Sequence, residues 1–268
     1  MAAHRKRPVA LTVAGSDPGG GAGIQADLKT FAALGVYGYS ALTAVIAQNS
    51  STVERVAPIE PAMVAAQIDA VVRECRPAAL KTGALGSAGV VRAVARAIEE
   101  MGLPAPVVDP VIVSSAGVRL LDRGGERALS RHMIPLARII TPNIPEAEAL
   151  TRIRIDGEAA MRAAARELFA MGARAVVIKG GHRESASDAA DLFYDGRRYL
   201  ELRRARVPGG GAHGTGCAFS AAIAAYLARG SELEPAVRAA KRYVTAALQR
   251  SFRLGSGRAL LDHFPRRS

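Results

Sequence analysis

Short apolar runs rich in valine, isoleucine and alanine alternate with helix-period segments along almost the whole chain. No other feature restricts the fold as strongly. A buried strand followed by an amphipathic helix, repeated, predicts a mainly parallel sheet covered by helices on both faces. The first run, Val9–Ala14, reads as a strand and leads into a helix over Gly23–Leu34. Two strands follow without an intervening helix, Tyr39–Val45 and Val53–Pro58, then a helix over Ala62–Glu74 with Met63, Val64, Ile68, Val71 and Val72 at helical spacing. Strand Ala79–Lys81, helix Ser87–Glu99 and strand Val107–Asp109 continue the pattern. Strand Arg138–Thr141 precedes a short helix near Glu146–Leu150, and helix Asp156–Met171 precedes strand Ala175–Lys179. Asp195-Gly196 between Ala190–Tyr194 and Arg198–Leu202 predicts a hairpin. Helices over Gly216–Ala228 and Glu234–Phe252 close the series.

With 268 residues, 49% of them hydrophobic, the chain can bury a large core. No repeat, linker or low-complexity segment divides it, so a basic tail over residues 1–8 followed by one domain over 9–268 is expected. The apolar run behind Arg5, Lys6 and Arg7 is too short for a secretion signal and reads as the first strand. No stretch approaches the roughly 20 apolar residues of a membrane helix. Cys75 and Cys217 are the only cysteines, which fits a reducing, cytoplasmic compartment. The net charge of +12 invites a nucleic-acid reading. The basic residues are scattered, however, and aromatics make up only 4% of the chain, with no interleaved stacking surface. Steering of a small anionic ligand accounts for such a charge.

In open α/β sheets, ligands bind outside the carboxyl ends of the strands, and the polar motifs collect there. GSDPGGGAGIQADLKTF, from Gly15, leaves the first strand through a glycine-rich turn. It is neither a Walker A loop nor a GxGxxG fingerprint. It can lay a ligand against the backbone with Asp27 projecting from the first helical turn; a tight turn with Asp27 as a helix-dipole partner fits equally well. Gln48 offers a donor and an acceptor on one amide, the pattern that matches an aminopyrimidine edge, although a plain polar turn also fits. Asp109 and Glu146 at two strand ends suit Mg²⁺, which takes few protein ligands and keeps several waters. Asn143 and Glu146 also suit a helix cap and its first-turn acid. Lys179 leaves an apolar strand where a cation can meet phosphate; a snorkelling lysine is the alternative. GGGAHGTGC, Gly209–Cys217, sets successive N–H groups before a helix, an arrangement that stabilises charge on a phosphoryl group. A helix N-terminus lowers a thiol from its ordinary pKa of about 8.5, so Cys217 is expected to be partly thiolate near neutral pH.

Taken in order, GSDPGGGAGIQADLKTFAALGVYG, TAVIAQN, DPV, TPNIPEA, KGGH and HGTGC resemble the bacterial hydroxymethylpyrimidine/phosphomethylpyrimidine kinases of thiamin biosynthesis, within the ribokinase-like superfamily. The resemblance runs from about Val9 to Phe252. It implies a three-layer α/β/α fold with a small strand flap, and transfer of phosphate from ATP with Mg²⁺ to a pyrimidine alcohol and then to its monophosphate. Pyridoxal kinase is the nearest alternative within the fold. It further implies that Gln48 contacts the pyrimidine, with Gly15, Asp27, Ala84 and Val111 around it. Asp109, Asn143, Glu146, Lys179 and Thr215 would serve ATP–Mg²⁺, with Asp109 and Glu146 nearest the metal. Gly214, Thr215 and Gly216 would form the anion hole, with Cys217 at the catalytic position. A homodimer is implied, with the strands of Tyr39–Pro58 as a candidate interface. Three positions depart from the family pattern. Ala84 replaces a pocket-lining Met, Ser114 and Ser115 stand where Lys or Thr often precedes Ser-Gly, and Ala212 replaces Thr. A second lid cysteine, found in some pyridoxal kinases, is absent after DPV.

Overall fold

The computed structural model describes residues 7–180, 188–205 and 212–264. Nine strands and eight α-helices follow one another among them: β1 (Val9–Ser16), α1 (Gly23–Ala33), β2 (Tyr37–Gln48), β3 (Val53–Pro58), α2 (Pro61–Glu74), β4 (Ala79–Thr82), α3 (Ala88–Glu100) and β5 (Val107–Val108). Then come α4 (Arg123–Ala128), β6 (Ile139–Ile140), α5 (Ile144–Thr151), α6 (Glu158–Ala170), β7 (Val176–Ile178), β8 (Asp188–Tyr194), β9 (Tyr199–Ala205), α7 (Thr215–Ala228) and α8 (Leu233–Gln249). The strands form one sheet in the order β3-β2-β1-β4-β5-β6-β7-β8-β9. The six strands from β2 to β7 are parallel, and β3, β8 and β9 are antiparallel additions at the edges.

Alternation along the strands builds the layers. Leu11, Val13, Val108, Ile140, Val176 and Ile178 face a core made with α2, α3 and α6. Their neighbours Ala10, Val107, Ile139, Ala175 and Val177 face a second core made with α1, α7 and α8. Both faces of the central strands are dry, which is why these segments are mostly apolar. The strand order reverses at β1, whose chain continues to β2 on one side while β4 pairs on the other. A crevice opens at such a point beyond the carboxyl ends of the strands.

The structure departs from the sequence reading in several places. The expected flap is the β2–β3 pair, and it continues the main sheet as its exposed edge. β5 ends at Val108 and β7 at Ile178, so Asp109 and Lys179 stand just beyond their strands. α8 stops at Gln249, and Phe252 instead pairs with Leu260. α4, the π turn Leu129–Met133 and the 3-10 turn Ile134–Leu136 were not expected. Gly124, Gly125 and Pro135 break the helical pattern there, and an Asp122 cap restores the start.

Candidate active site

At the reversal point Thr12 on β1 lies in register with Lys81 on β4. Asp27, one turn into α1, meets both: its Oδ2 accepts from Thr12 Oγ1 at 2.6 Å and from Lys81 Nζ at 2.7 Å. All three side chains are fully buried. Asp27 is therefore neither in the first helical turn nor open to a ligand in this state, because α1 begins at Gly23 and turns that carboxylate into the sheet. Burial pushes the Asp27 carboxyl up, against the pull of Lys81 and Thr12. Burial works against the Lys81 ammonium too, but Asp27, Cys217 and Asp109 around it outweigh that and hold it above the ordinary lysine range.

A second charged group forms where β5, β6 and β7 end side by side. Lys179 donates to Asp109 Oδ1 at 2.9 Å, and Ser220 from α7 reaches Asp109 Oδ2 at 3.3 Å. Asn143 bridges to Lys179 through the backbone and begins α5 with a reciprocal cap. The Glu146 N–H donates to Asn143 Oδ1, and the Asn143 N–H to Glu146 Oε2, both at 2.8 Å. Asn143 and Glu146 thus do what the local reading allowed, and Glu146 is also brought to the charged cluster. Burial pushes its carboxyl up to about 7; Lys179 pulls it down and Asp109 pushes it further up. Lys179, despite burial, is held above the usual lysine range by Asp109 and Glu146.

α7 delivers its N-terminus to this cluster. Its N-cap, Gly214, sits in the left-handed region at φ 79° and offers no side chain to the first N–H groups. A Cβ at Gly214 would overlap the carbonyl oxygen of Gly21, so only glycine lets the two loops close. Thr215 Oγ1 turns back to the Ala212 carbonyl at 2.7 Å. At Gly216, a Cβ would stand 3.1 Å from Lys179 Nζ, so the helix start lies directly against that cation. Cys217 retains partial exposure. The thiolate expectation fails: burial pushes the thiol up to about 11, even though Lys81 and the Gly23 N–H pull it down. Asp109 and Asp27 add to the burial in disfavouring a charged sulfur here. Gly209–Gly211 and His182, which belong to the quoted motifs, lie outside the described residues.

Two residues missed in the sequence tie the glycine turn together. Asp17 Oδ2 accepts from the N–H groups of Gly21 and Ala22 at 3.1 and 2.7 Å and from His213 Nε2 at 3.0 Å. Its Oδ1 accepts from the Gly19 N–H at 2.9 Å. Burial alone would raise this carboxyl, but His213, the Ala22 N–H and the Gln48 amide outweigh it and hold it at about 2. Gln48 is thus placed beside the turn that follows β1, the strand whose next-to-last residue is Gly15. Ala84 follows β4, half-buried, with its carbonyl accepting from Thr43 Oγ1 at 2.6 Å. Val111 opens the segment after β5 and is half-buried. An Asp in a glycine-rich turn and a His before a glycine-capped helix were the available signals for Asp17 and His213. Lys81 gave none, because a lysine inside a short strand reads as an exposed end.

A parallel sheet with its strand ends gathered under an uncapped helix N-terminus, and with lysine–carboxylate pairs beneath, defines a kinase of the ribokinase-like class. The chain belongs to the phosphomethylpyrimidine kinase family, whose sequence profile matches residues 17–262. It is 43% identical to the hydroxymethylpyrimidine/phosphomethylpyrimidine kinase of Bacillus subtilis strain 168, over 95% of this chain and 94% of that one. It is 48% identical to the thiamine biosynthesis bifunctional protein ThiED of Geobacter sulfurreducens over 94% of this chain, and spans about half (51%) of that longer protein. An ADP complex of Bacillus subtilis pyridoxal kinase superposes with a TM-score of 0.89 at 38% identity, covering 96% of this chain and 98% of the other.

Proposed function

We propose that this chain transfers the γ-phosphoryl group of ATP to the alcohol of 4-amino-5-hydroxymethyl-2-methylpyrimidine, and then a second phosphoryl group to the resulting monophosphate. The observation that carries the reading is the convergence of Lys179, Asp109 and Glu146 on the uncapped start of α7, in a chain that matches this family over nearly its whole length. Phosphoryl transfer asks chiefly for positioning and charge stabilisation. Lys179 and the N–H groups of Gly216 and Cys217 supply these for the transferring group. Gln48 and Asp17 arrange the acceptor side, with Ala84 and Val111 lining it.

Mg²⁺ suits the donor set. Among the described residues no group of three or more His, Cys, Asp or Glu side chains is assembled for a metal, but burial, with Asp109 adding to it, raises the Glu146 carboxyl to about 7. A divalent cation carried on the nucleotide phosphates favours its ionised form and needs only one or two protein carboxylates. When bound it neutralises charge on the β- and γ-phosphates. Asp109 and Glu146 would hold it, directly or through water.

The chain acts as one domain behind its basic tail, in the cytoplasm, as a homodimer. The exposed Tyr37, Val45 and Val56 along β2 and β3 favour this edge as the interface. Sedimentation at several concentrations tests the dimer, and Val45→Lys should dissociate it. Among the described residues no helix is long and apolar enough to cross a membrane.

The superposition with a pyridoxal kinase keeps a second acceptor in view. ATP turnover measured side by side with the hydroxymethylpyrimidine, its monophosphate and pyridoxal decides between them. Turnover of pyridoxal alone would overturn the pyrimidine reading.

A further inference from the structure

The segment between β5 and α4 folds back on itself. Ser114 N–H donates to the Val118 carbonyl at 2.8 Å, and the Gly117 N–H to the Ser114 carbonyl at 2.9 Å. At its tip, Ser115 Oγ lies 3.0 Å from His213 Nδ1, while His213 Nε2 lies 3.0 Å from Asp17 Oδ2. Asp17, a carboxylate at any physiological pH, only accepts, so Nε2 carries a hydrogen and donates. In the neutral ring Nδ1 must then accept from the Ser115 hydroxyl. The chain of bonds runs from the glycine turn after β1, through the loop that starts α7, to the tip of the segment after β5. The inner members are buried and fixed: three backbone N–H groups hold Asp17, and the His213 N–H donates to the Ala259 carbonyl at 2.9 Å. Only Ser115 is exposed. Residues 111–121 contribute no other side-chain bond to the glycine turn or the α7 loop among the described residues.

We infer that Asp17, His213 and Ser115 form a latch that holds the segment Pro110–Leu121 over the acceptor end of the site, making His213 and Ser115 positioning residues for the acceptor. The inference rests on the kinase reading for its kinetic consequences and on geometry alone for its structural one. A serine fits here because the contact needs one short donor. A lysine at position 115 would require His213 to present an acceptor over a longer reach, and an alanine would leave Nδ1 with nothing from the segment.

The test compares the full-length wild type with Ser115→Ala and Ser115→Thr, chosen because Ser115 is exposed and its loss should not unfold the protein. Backbone amide exchange of residues 111–121 in the free protein reads the latch without any turnover. Ser115→Ala should speed exchange there by about fivefold, the scale of one net hydrogen bond, while Ser115→Thr stays at the wild-type rate. With the pyrimidine alcohol as acceptor, Ser115→Ala should raise KM for that acceptor several-fold with KM for ATP unchanged, and Ser115→Thr should restore it. Unchanged exchange in Ser115→Ala, or a Thr variant that behaves like the Ala variant, overturns the latch. If the wild type phosphorylates no pyrimidine, the kinase reading fails while the exchange result still decides the latch.

Discussion

Cys217 shows how far one residue's chemistry depends on its surroundings. The sequence places a thiol at a helix start, and the expected consequence was a thiolate. The structure adds what sequence does not carry, burial of the sulfur beside Asp109 and Asp27, and burial pushes it up to about 11 although Lys81 pulls it down. A thiol held that high is neutral at pH 7 in the free protein, which disfavours it as a base. Cys217→Ala should therefore slow phosphorylation of the alcohol and of the monophosphate by the same factor, by reshaping the anion hole. A loss confined to the alcohol step would restore the base. Thiolate absorbance near 240 nm in a Cys75→Ser background, taken as the difference from the same protein carrying Cys217→Ala, gives a direct check, with no rise expected below about pH 10. Glu146 makes the complementary case. Its carboxyl, up at about 7, is part-protonated at neutral pH, and a metal–nucleotide complex favours the ionised form. Binding of Mg²⁺–ADP at pH 7 should thus release about half a proton, visible as a dependence of calorimetric heat on buffer ionisation enthalpy. Glu146→Gln should abolish that release; a wild type with no release would disconnect Glu146 from the metal. Asp109, Asn143, Glu146 and Lys179 were legible because each ends or follows an apolar strand. Lys81 and Asp17 were not, since a buried ion pair and a loop-gathering carboxylate are defined by partners far away in the sequence.

Elements were legible wherever one local signal was strong. Asp195-Gly196 turns the β8–β9 hairpin, with Gly196 at φ 86°. The amphipathic helices α2, α3 and α6 lie close to their expected bounds. β5 and β6 are only two residues long, and they were found because their valines and isoleucines must be dry on both faces. Where local signals conflict, as in RGGERALSRHMIPL, tertiary packing decided: Leu129, Met133 and Ile134 are buried against α3 and pull a glycine-broken segment into helical turns. α5 carries both a structural and a functional duty at its first turn. Asn143→Ala removes one half of the reciprocal cap and should cost about 1 kcal/mol of stability in urea melts. It also frees the Glu146 side chain, so affinity for Mg²⁺–ADP should fall with it. Asn143→Ser keeps a capping oxygen and should recover the stability; a Ser variant no better than Ala would mean that the cap contributes little here.

For the molecule as a whole, the alternating pattern was enough to predict three layers. It could not show the return of the C-terminal segment, in which Leu260 bridges to His213 and Phe252 while Leu261 and His263 are buried. That return buries His263, whose titration opposes that of Glu146. Burial lowers His263 to about 4, where Tyr243 lies 3.2 Å from its Nδ1. Its folded pKa is below the unfolded value of 6.5, so the unfolded chain binds more protons between the two, and folding stability falls as pH drops from 6.5 towards 4. Glu146 has the opposite sign. Its folded pKa near 7 exceeds the unfolded 4.5, the folded chain binds more protons in that window, and stability rises as pH drops from 7 towards 4.5. Each effect is on the order of 3 kcal/mol over its full span, and the windows overlap almost completely. Asp17, held at about 2, stays ionised throughout that window and takes its stabilisation away only below the unfolded value of 3.8. The wild type should therefore melt at nearly constant temperature between pH 7 and 5, with no ligand present. Removing one opponent exposes the other. Glu146→Gln should become less stable as pH falls through that range, and His263→Gln more stable. Thermal melts of the three proteins at half-unit pH steps decide it: parallel curves would show that neither group titrates differently on folding, and the two-sided conflict would be gone.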